Sequence, residues 1–278
     1  MVKRNWKTLR ILFRGGWAVL GAYFKWMIRY SRHPERYSLE ERYNAVRKLV
    51  LKISGPLGIQ WNGENEKIIS STKPCLFVSN HTSALDPLFL IIASPKPVKF
   101  VAKMEAAKMP FIGRVLKILE CALLDRKNPR QALQIFANVQ KEISSGLCSY
   151  CIYPEGTRNK APQTTPPGEF HGGSFKIAFR AQCPVCLYSS FGGHCIFHLN
   201  ENNKSELLCF RVHEPMEYES FAEGNTQILA AKLQEECTKD IEEFQQKEKE
   251  YFESGKAKKK PTAWWKDPSL PFPVEVKK

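Results

Sequence analysis

The chain has 278 residues, 43% of them hydrophobic and 12% aromatic, with 42 Lys+Arg against 28 Asp+Glu. That apolar content excludes a disordered chain, and 16 glycines without a persistent heptad exclude collagen-like and coiled-coil fibres. No uncharged apolar run reaches about 18 residues, which excludes a polytopic membrane protein, and no repeat recurs at solenoid spacing.

The charge is uneven. Residues 1–34 hold eight basic residues (Lys3, Arg4, Lys7, Arg10, Arg14, Lys25, Arg29 and Arg32) and no acidic one. Residues 256–278 carry a net +5, which leaves the remaining body at +1. A near-neutral globule with two basic ends points to an anionic surface met by the termini. The body has no basic stripe interleaved with aromatics, which argues against nucleic acid as a partner.

The first helix is expected over about 3–30. Its basic residues flank Trp17, Leu20, Tyr23, Phe24 and Trp26, a composition suited to a helix lying in a membrane interface. A helix buried in the core is the alternative. A second, amphipathic helix is expected over 38–54 after the break at Pro34, and Gly55–Gly58 reads as a loop. Strands follow near 58–62 and 75–79, helices at 83–92 and 110–119, and strands at 98–102 and 121–124. Pro129–Ser144 reads as a helix with proline in its first turn, followed by a strand at 149–153. Residues 159–173, rich in Pro, Thr and Gly, read as a mobile loop. A helix at 174–181, strands near 184–190 and 207–213, and a charged helix at 226–251 complete the body. Strands alternating with helices predict an α/β fold around a central mixed, largely parallel sheet. The domain boundaries expected are a helical pair at 1–54, an α/β domain at 55–254 and a basic, Trp-containing tail at 255–278. That tail is either a second lipid contact or a solvated extension.

Nine cysteines occur without regular spacing. The pairs Cys148/Cys151 and Cys183/Cys186 fall in or beside expected strands, where residues three apart face opposite ways, so neither pair suits one metal ion. Reduced, buried thiols are the better reading.

Chemistry concentrates at two strand ends. The strand beginning at Cys75 runs into Asn80, His81 and, five residues on, Asp86. Histidine suits proton removal near neutral pH, and a carboxylate can fix its tautomer. Five residues do not share a helical face, so the pair requires an irregular strand-to-helix turn. The strand ending at Tyr153 runs into Pro154-Glu155-Gly156-Thr157-Arg158. There Gly156 permits close backbone approach, and Arg158 offers a planar fork that matches phosphate. Lys103 and Arg126 follow two further strands.

Taken together, these blocks resemble the lysophosphatidate acyltransferase (1-acylglycerol-3-phosphate O-acyltransferase) family within the glycerolipid acyltransferase group. Asn80, His81 and Asp86 match its Asn-His-x-x-x-x-Asp block. Lys103, Pro110, Gly113, Asp125 and Arg126 match the second block, and Pro154 to Arg158 match the third in full. Phe170, Gly173, Phe175, Lys176 and Ala178 fit the segment before the fourth block, which is entered at Pro184. The sequence departs from the family pattern at Glu120, usually Gly, at Asn159, commonly Ser, and at Leu187, commonly Pro.

The resemblance implies acyl transfer from acyl-CoA or acyl-carrier protein to the 2-hydroxyl of 1-acyl-sn-glycerol 3-phosphate, giving phosphatidate. It implies His81 as general base, oriented by Asp86. Lys103, Arg126, Glu155, Gly156, Thr157 and Arg158 would bind substrate. Neither a metal nor a bound cofactor is called for. The partner would be a phospholipid bilayer, contacted on its cytoplasmic face by an N-terminal two-helix membrane-docking element.

Overall fold

The computed structural model describes residues 16–54, 59–109, 111–125, 128–194 and 206–254. The Gly55–Gly58 loop, Pro110, Arg126, the first part of the N-terminal helix and the basic tail lie outside them. Helical backbone runs from 16 to 32 (α1), with a π-turn at Tyr23–Met27. His33, which precedes Pro34, leaves the helical region at φ −134°, as a pre-proline residue prefers. The chain then enters α2 (Leu39–Ser54). Ser38 caps this helix by accepting the Glu41 N–H at 3.1 Å, satisfying one of the orphan donors of its first turn.

Seven strands follow: β1 (Ile59–Glu64), β2 (Leu76–Ser79), β3 (Val98–Lys103), β4 (Ala122–Leu124), β5 (Ser149–Ile152), β6 (Val185–Phe191) and β7 (Glu206–Val212). They form one sheet in the order β1-β7-β6-β2-β5-β3-β4. Every neighbouring pair is parallel except β6 and β7. Parallel neighbours need crossovers. These contain α4 (Asp86–Ala93) after β2, α5 (Ile112–Ile118) after β3, α6 (Pro129–Ser144) after β4 and α7 (Lys176–Ala181) after β5. A short α3 (Lys67–Ser71) precedes β2, and α8 (Thr226–Glu253) closes the chain.

Helices cover both faces. Phe77, Cys151 and Cys186 pack with α1, α2, α4 and α5, whereas Leu76, Val78, Ile152 and Leu187 pack with α6, α7 and α8. Central strands buried on both sides must be apolar at every position, which is why Cys75–Val78 shows no polar alternation. The two-residue period also splits each cysteine pair. Cys148 and Cys183 belong to one face and Cys151 and Cys186 to the other. All eight described cysteines are buried free thiols, and burial pushes Cys148 and Cys183 up to about 12.

Two expectations are corrected. The helix α3, a single turn and a half, was not anticipated between the first two strands. The loop after β5, expected to be mobile, is tied down along its length. Asn159 donates to the carbonyls of Thr165 and Pro166, Gln245 of α8 donates to Pro162, and Phe170 N–H donates to Gln234. Its prolines restrict the backbone, and α8 supplies partners that sequence spacing does not reveal.

Candidate active site

The crossover after β2 passes through α4 on one face of the sheet, while the crossover after β5 reaches α7 on the other. Because β2 and β5 are adjacent and parallel, their carboxyl ends open a crevice where the chain departs in opposite directions. Such switch points are where ligands bind in open α/β sheets. Both chemical blocks lie there.

From β2, Asn80 continues the ladder with its side chain. Its Nδ2 donates to the Ser190 carbonyl and its Oδ1 accepts the Ser190 N–H, each at 2.9 Å. Residues 81–85 stay outside regular helix, and Asp86 opens α4 with Pro87 in its first turn. The turn brings Asp86 Oδ2 to 2.8 Å from His81 Nδ1, with the Asp86 side chain buried. The same oxygen accepts the N–H groups of Thr82 at 2.7 Å and Ser83 at 2.8 Å. An oxygen committed as acceptor to two backbone donors also acts as acceptor toward the imidazole. The His81 proton therefore sits on Nδ1, leaving the Nε2 lone pair free. The imidazole stacks on Tyr153 with ring centroids 4.3 Å apart and planes 28° apart.

From β5, Gly156 adopts φ +66° and its N–H donates to the Tyr153 carbonyl at 3.0 Å. This left-handed position is one that glycine occupies without strain. The turn places Thr157 and Arg158 at the surface and Glu155 inside. Glu155 departs from its expected role. Its Oε1 accepts the His81 N–H at 2.6 Å and its Oε2 accepts the Gly168 N–H at 2.8 Å. The carboxylate thus clamps protein backbone and does not line the cavity described next. Burial pushes the Glu155 carboxyl above its ordinary value, against the opposing pull of those two donors. Asn159 completes the clamp by donating its N–H to the His81 carbonyl at 2.8 Å.

A cavity of about 460 Å³ opens beside the dyad. His81, Lys103, Gly156, Thr157 and Arg158 line it together with Tyr153. Deeper, Leu88 and Ile91 of α4, Phe100 of β3, and Ile112, Val115 and Leu116 of α5 give an apolar wall. Gly113 lets α5 approach the preceding turn, since a Cβ there would stand 2.0 Å from the Ala107 carbonyl oxygen. Lys103 and Arg158 are exposed, and no carboxylate among the described residues pairs with either. Glu105 is the one acidic side chain among the described residues lining the cavity. The arrangement joins a base-competent imidazole, two cations and an apolar recess. It can deprotonate a hydroxyl on a molecule that carries both an anion and a long apolar chain.

Of the residues expected from sequence, His81, Asp86, Lys103, Gly156, Thr157 and Arg158 converge here, Glu155 acts behind them, and Arg126 lies outside the described residues. Tyr153 and the apolar wall were not anticipated. The Tyr153 position follows an apolar strand, where an aromatic reads as core, and no spacing marks the wall as a cavity.

Comparison with known proteins agrees with this geometry. Residues 60–187 match the family model Acyltransferase. The chain is 37% identical over 175 residues to a probable 1-acyl-sn-glycerol-3-phosphate acyltransferase of Mycoplasma pneumoniae, a match covering 59% of this chain and 62% of the relative. It is 29% identical over 136 residues to human 1-acyl-sn-glycerol-3-phosphate acyltransferase beta, covering 48% of each. The chain therefore spans less than two thirds of the length of these curated relatives. The crystal structure of the 1-acyl-sn-glycerophosphate (LPA) acyltransferase from Thermotoga maritima shares the fold, with a TM-score of 0.59 at 20% identity over 85% of this chain and 90% of that one.

Proposed function

We propose, for a chain whose residues 60–187 match the Acyltransferase family model, that it transfers a fatty acyl group to the 2-hydroxyl of 1-acyl-sn-glycerol 3-phosphate. The observation that carries this reading is the Asp86–His81 pair, its free Nε2 beside a cavity with cations at one side and an apolar wall at the other. The donor is a thioester, acyl-CoA or acyl-carrier protein.

In this reading, Lys103 and Arg158 take the acceptor phosphate. Fixing a remote group holds the hydroxyl against both the base and the thioester carbonyl. As the hydroxyl oxygen attacks that carbonyl, His81 Nε2 takes its proton, and Asp86 stabilises the resulting imidazolium. Collapse of the tetrahedral intermediate breaks the carbon–sulfur bond, and the departing thiolate takes the proton back from Nε2. No protein nucleophile is needed. The apolar wall of α4, β3 and α5 accommodates an acyl chain, which favours a lysolipid acceptor over glycerol 3-phosphate. The protein works at a bilayer, met through the N-terminal helical pair.

The test is acyl transfer by the purified protein, with 1-acylglycerol 3-phosphate, glycerol 3-phosphate and a neutral lysolipid offered beside both donors. Phosphatidate is expected from the first acceptor, with a fall of about 10²–10⁴-fold in kcat for His81→Ala. Undiminished turnover by His81→Ala would remove the base assignment. Equal use of the three acceptors would remove the phosphate site.

A further inference from the structure

A second cavity, of about 710 Å³, lies far in sequence from the dyad, between α1 and α2. One wall comes from Trp17, Ala18, Gly21, Ala22 and Lys25 of α1, and the other from Ala45, Lys48, Leu49 and Lys52 of α2. The spacing explains the groove. Residues 45, 48, 49 and 52 recur on one face of a helix, and opposite them α1 presents only small side chains at 18, 21 and 22. A Cβ placed on Gly21 would meet nothing within 4 Å.

Three lysines against one glutamate make the charged lining net positive. Lys25, Lys48 and Lys52 are exposed, and no carboxylate among the described residues pairs with them. Glu41 is the single acidic side chain among the described residues of the lining; it is exposed, and its Oε1 accepts the Tyr30 hydroxyl at 2.6 Å. Outside the groove, Leu20 and Phe24 of α1 are 46% and 70% exposed, and Trp17 in its wall is 59% exposed. Three unpaired ammonium groups at the rim of an apolar cleft suit an anionic headgroup with an acyl chain below it.

We propose that the α1–α2 groove is a binding site for one anionic glycerophospholipid molecule, its phosphate held by Lys25, Lys48 and Lys52 and a chain lying along Ala18, Gly21 and Ala22. The sequence of residues 1–15 carries Lys3, Arg4, Lys7, Arg10 and Arg14 and no acidic residue, so charge opposes that segment as the occupant. The proposal makes docking selective for headgroup. It is independent of the acyl-transfer reading, because none of these residues lines the catalytic cavity.

The experiment uses the full chain and two probes. One is sedimentation with phosphatidylcholine vesicles containing or lacking phosphatidylglycerol. The other is native mass spectrometry with short-chain phosphatidylglycerol or phosphatidylcholine. Expected are one-to-one retention of the anionic lipid alone and vesicle binding that depends on it. The triple variant Lys25→Gln, Lys48→Gln, Lys52→Gln should weaken vesicle binding on the order of a hundredfold, at about fivefold per lysine near an anionic surface. Lys141→Gln, Lys176→Gln, Lys232→Gln, a control of equal charge elsewhere, should retain most of the affinity.

Gly21→Leu separates a site from diffuse attraction. It makes α1 more apolar yet fills the cleft, so retention of the anionic lipid should fall. Equal losses in the two triple variants, or full retention of the lipid by Gly21→Leu, would overturn the proposal. So would conversion of a dimer to a monomer by Gly21→Leu with lipid binding intact, which would assign the groove to a second copy. Undiminished lipid binding by Gly21→Leu with faster proteolysis within residues 1–15 would assign it to that segment. Because acyl transfer from soluble short-chain substrates does not pass through this groove, failure here leaves that reaction standing.

Discussion

Glu155 holds His81 by its backbone and not by its ring, with Oε1 2.6 Å from the His81 nitrogen while Asp86 takes the imidazole on the other side. The turn that carries Arg158, the proposed phosphate ligand, thus also fixes His81, the proposed base. The two catalytic segments, one after β2 and one after β5, are cross-braced at the point where they must cooperate.

Glu155→Ala is expected to lower kcat by about 10–100-fold with little change in KM for the acceptor, since a displacement of about an ångström at a catalytic group has effects of that size. Glu155→Gln should recover part of the loss, because its carbonyl can still accept one N–H, while its amide opposes the second donor. Steady-state kinetics of the two variants checks this. A pure KM effect would place Glu155 on the substrate.

Arg158→Ala and Lys103→Ala should act the other way. Each removes one proposed charged contact to phosphate, of a kind worth roughly 1.5–3 kcal/mol, so KM for the phosphorylated acceptor should rise by about ten- to a hundredfold. Neither change should affect a neutral lysolipid. Measuring both acceptors in parallel separates binding from general damage.

Arg42 couples α2 to the cavity wall. It is 5% exposed, donates to the carbonyls of Tyr37 and Ile118, and meets Glu120 Oε2 at 2.7 Å. Glu120 stands at φ 51°, the left-handed region that costs an ordinary residue about 1–2 kcal/mol, which accounts for the family's usual glycine there. Glu120→Gly should therefore be nearly neutral, within about 1 kcal/mol, as relieved strain offsets a half-exposed ion pair. Arg42→Ala should cost roughly 3 kcal/mol or more, by stripping buried carbonyls of their donor. Urea unfolding of both variants provides the comparison.

A charged network staples β7 to α8. Arg211 reaches Glu64 at 2.6 Å, Asp240 at 2.5 Å and Glu243 at 2.6 Å, and His213 meets Asp240 at 2.7 Å. Burial raises the Asp240 carboxyl, but the bonds from His213 and Arg211 outweigh it and leave the group below its ordinary value. Glu64 is lowered against the same opposition by Arg211 and Lys247, and Glu243 is lowered chiefly by Arg211. A carboxylate depressed in the folded state contributes stability that is present above its unfolded value, about 4, and is lost as pH falls through its folded value. Melting temperature should accordingly fall steeply below about pH 4. Arg211→Met should be less stable at neutral pH and lose less on acidification, as thermal melts at stepped pH would record.

Much of this architecture is legible in sequence because the central strands are apolar at every position and the crossovers carry helical periodicity with recognisable caps. Asn128 accepts the Gln131 N–H just ahead of Pro129, and the helix runs Pro129–Ser144 as the pattern predicts. The dyad is legible because Asn80, Ser83 and Pro87 force the turn that five-residue spacing requires. The inward rotation of Glu155 is not, since a five-residue block cannot say which side of its turn faces water. The His213–Asp240 contact spans 27 residues and two elements, beyond any local pattern. The groove between α1 and α2 is invisible for the same reason: small residues at 18, 21 and 22 read equally as close helix packing.

The Asn80–Ser190 double bond bears on how the protein is made. The strand before His81 is flanked by β5 on one side and by β6, completed only at Phe191, on the other. A nascent polypeptide that has left the ribosome through Arg158 already holds His81, Asp86, Lys103 and Arg158, yet the position after β2 still lacks the neighbour that fixes it. Assembly of the His81–Asp86 centre thus waits on a late, central strand insertion, so synthesis of the motifs and completion of the proposed active site are separate events in time.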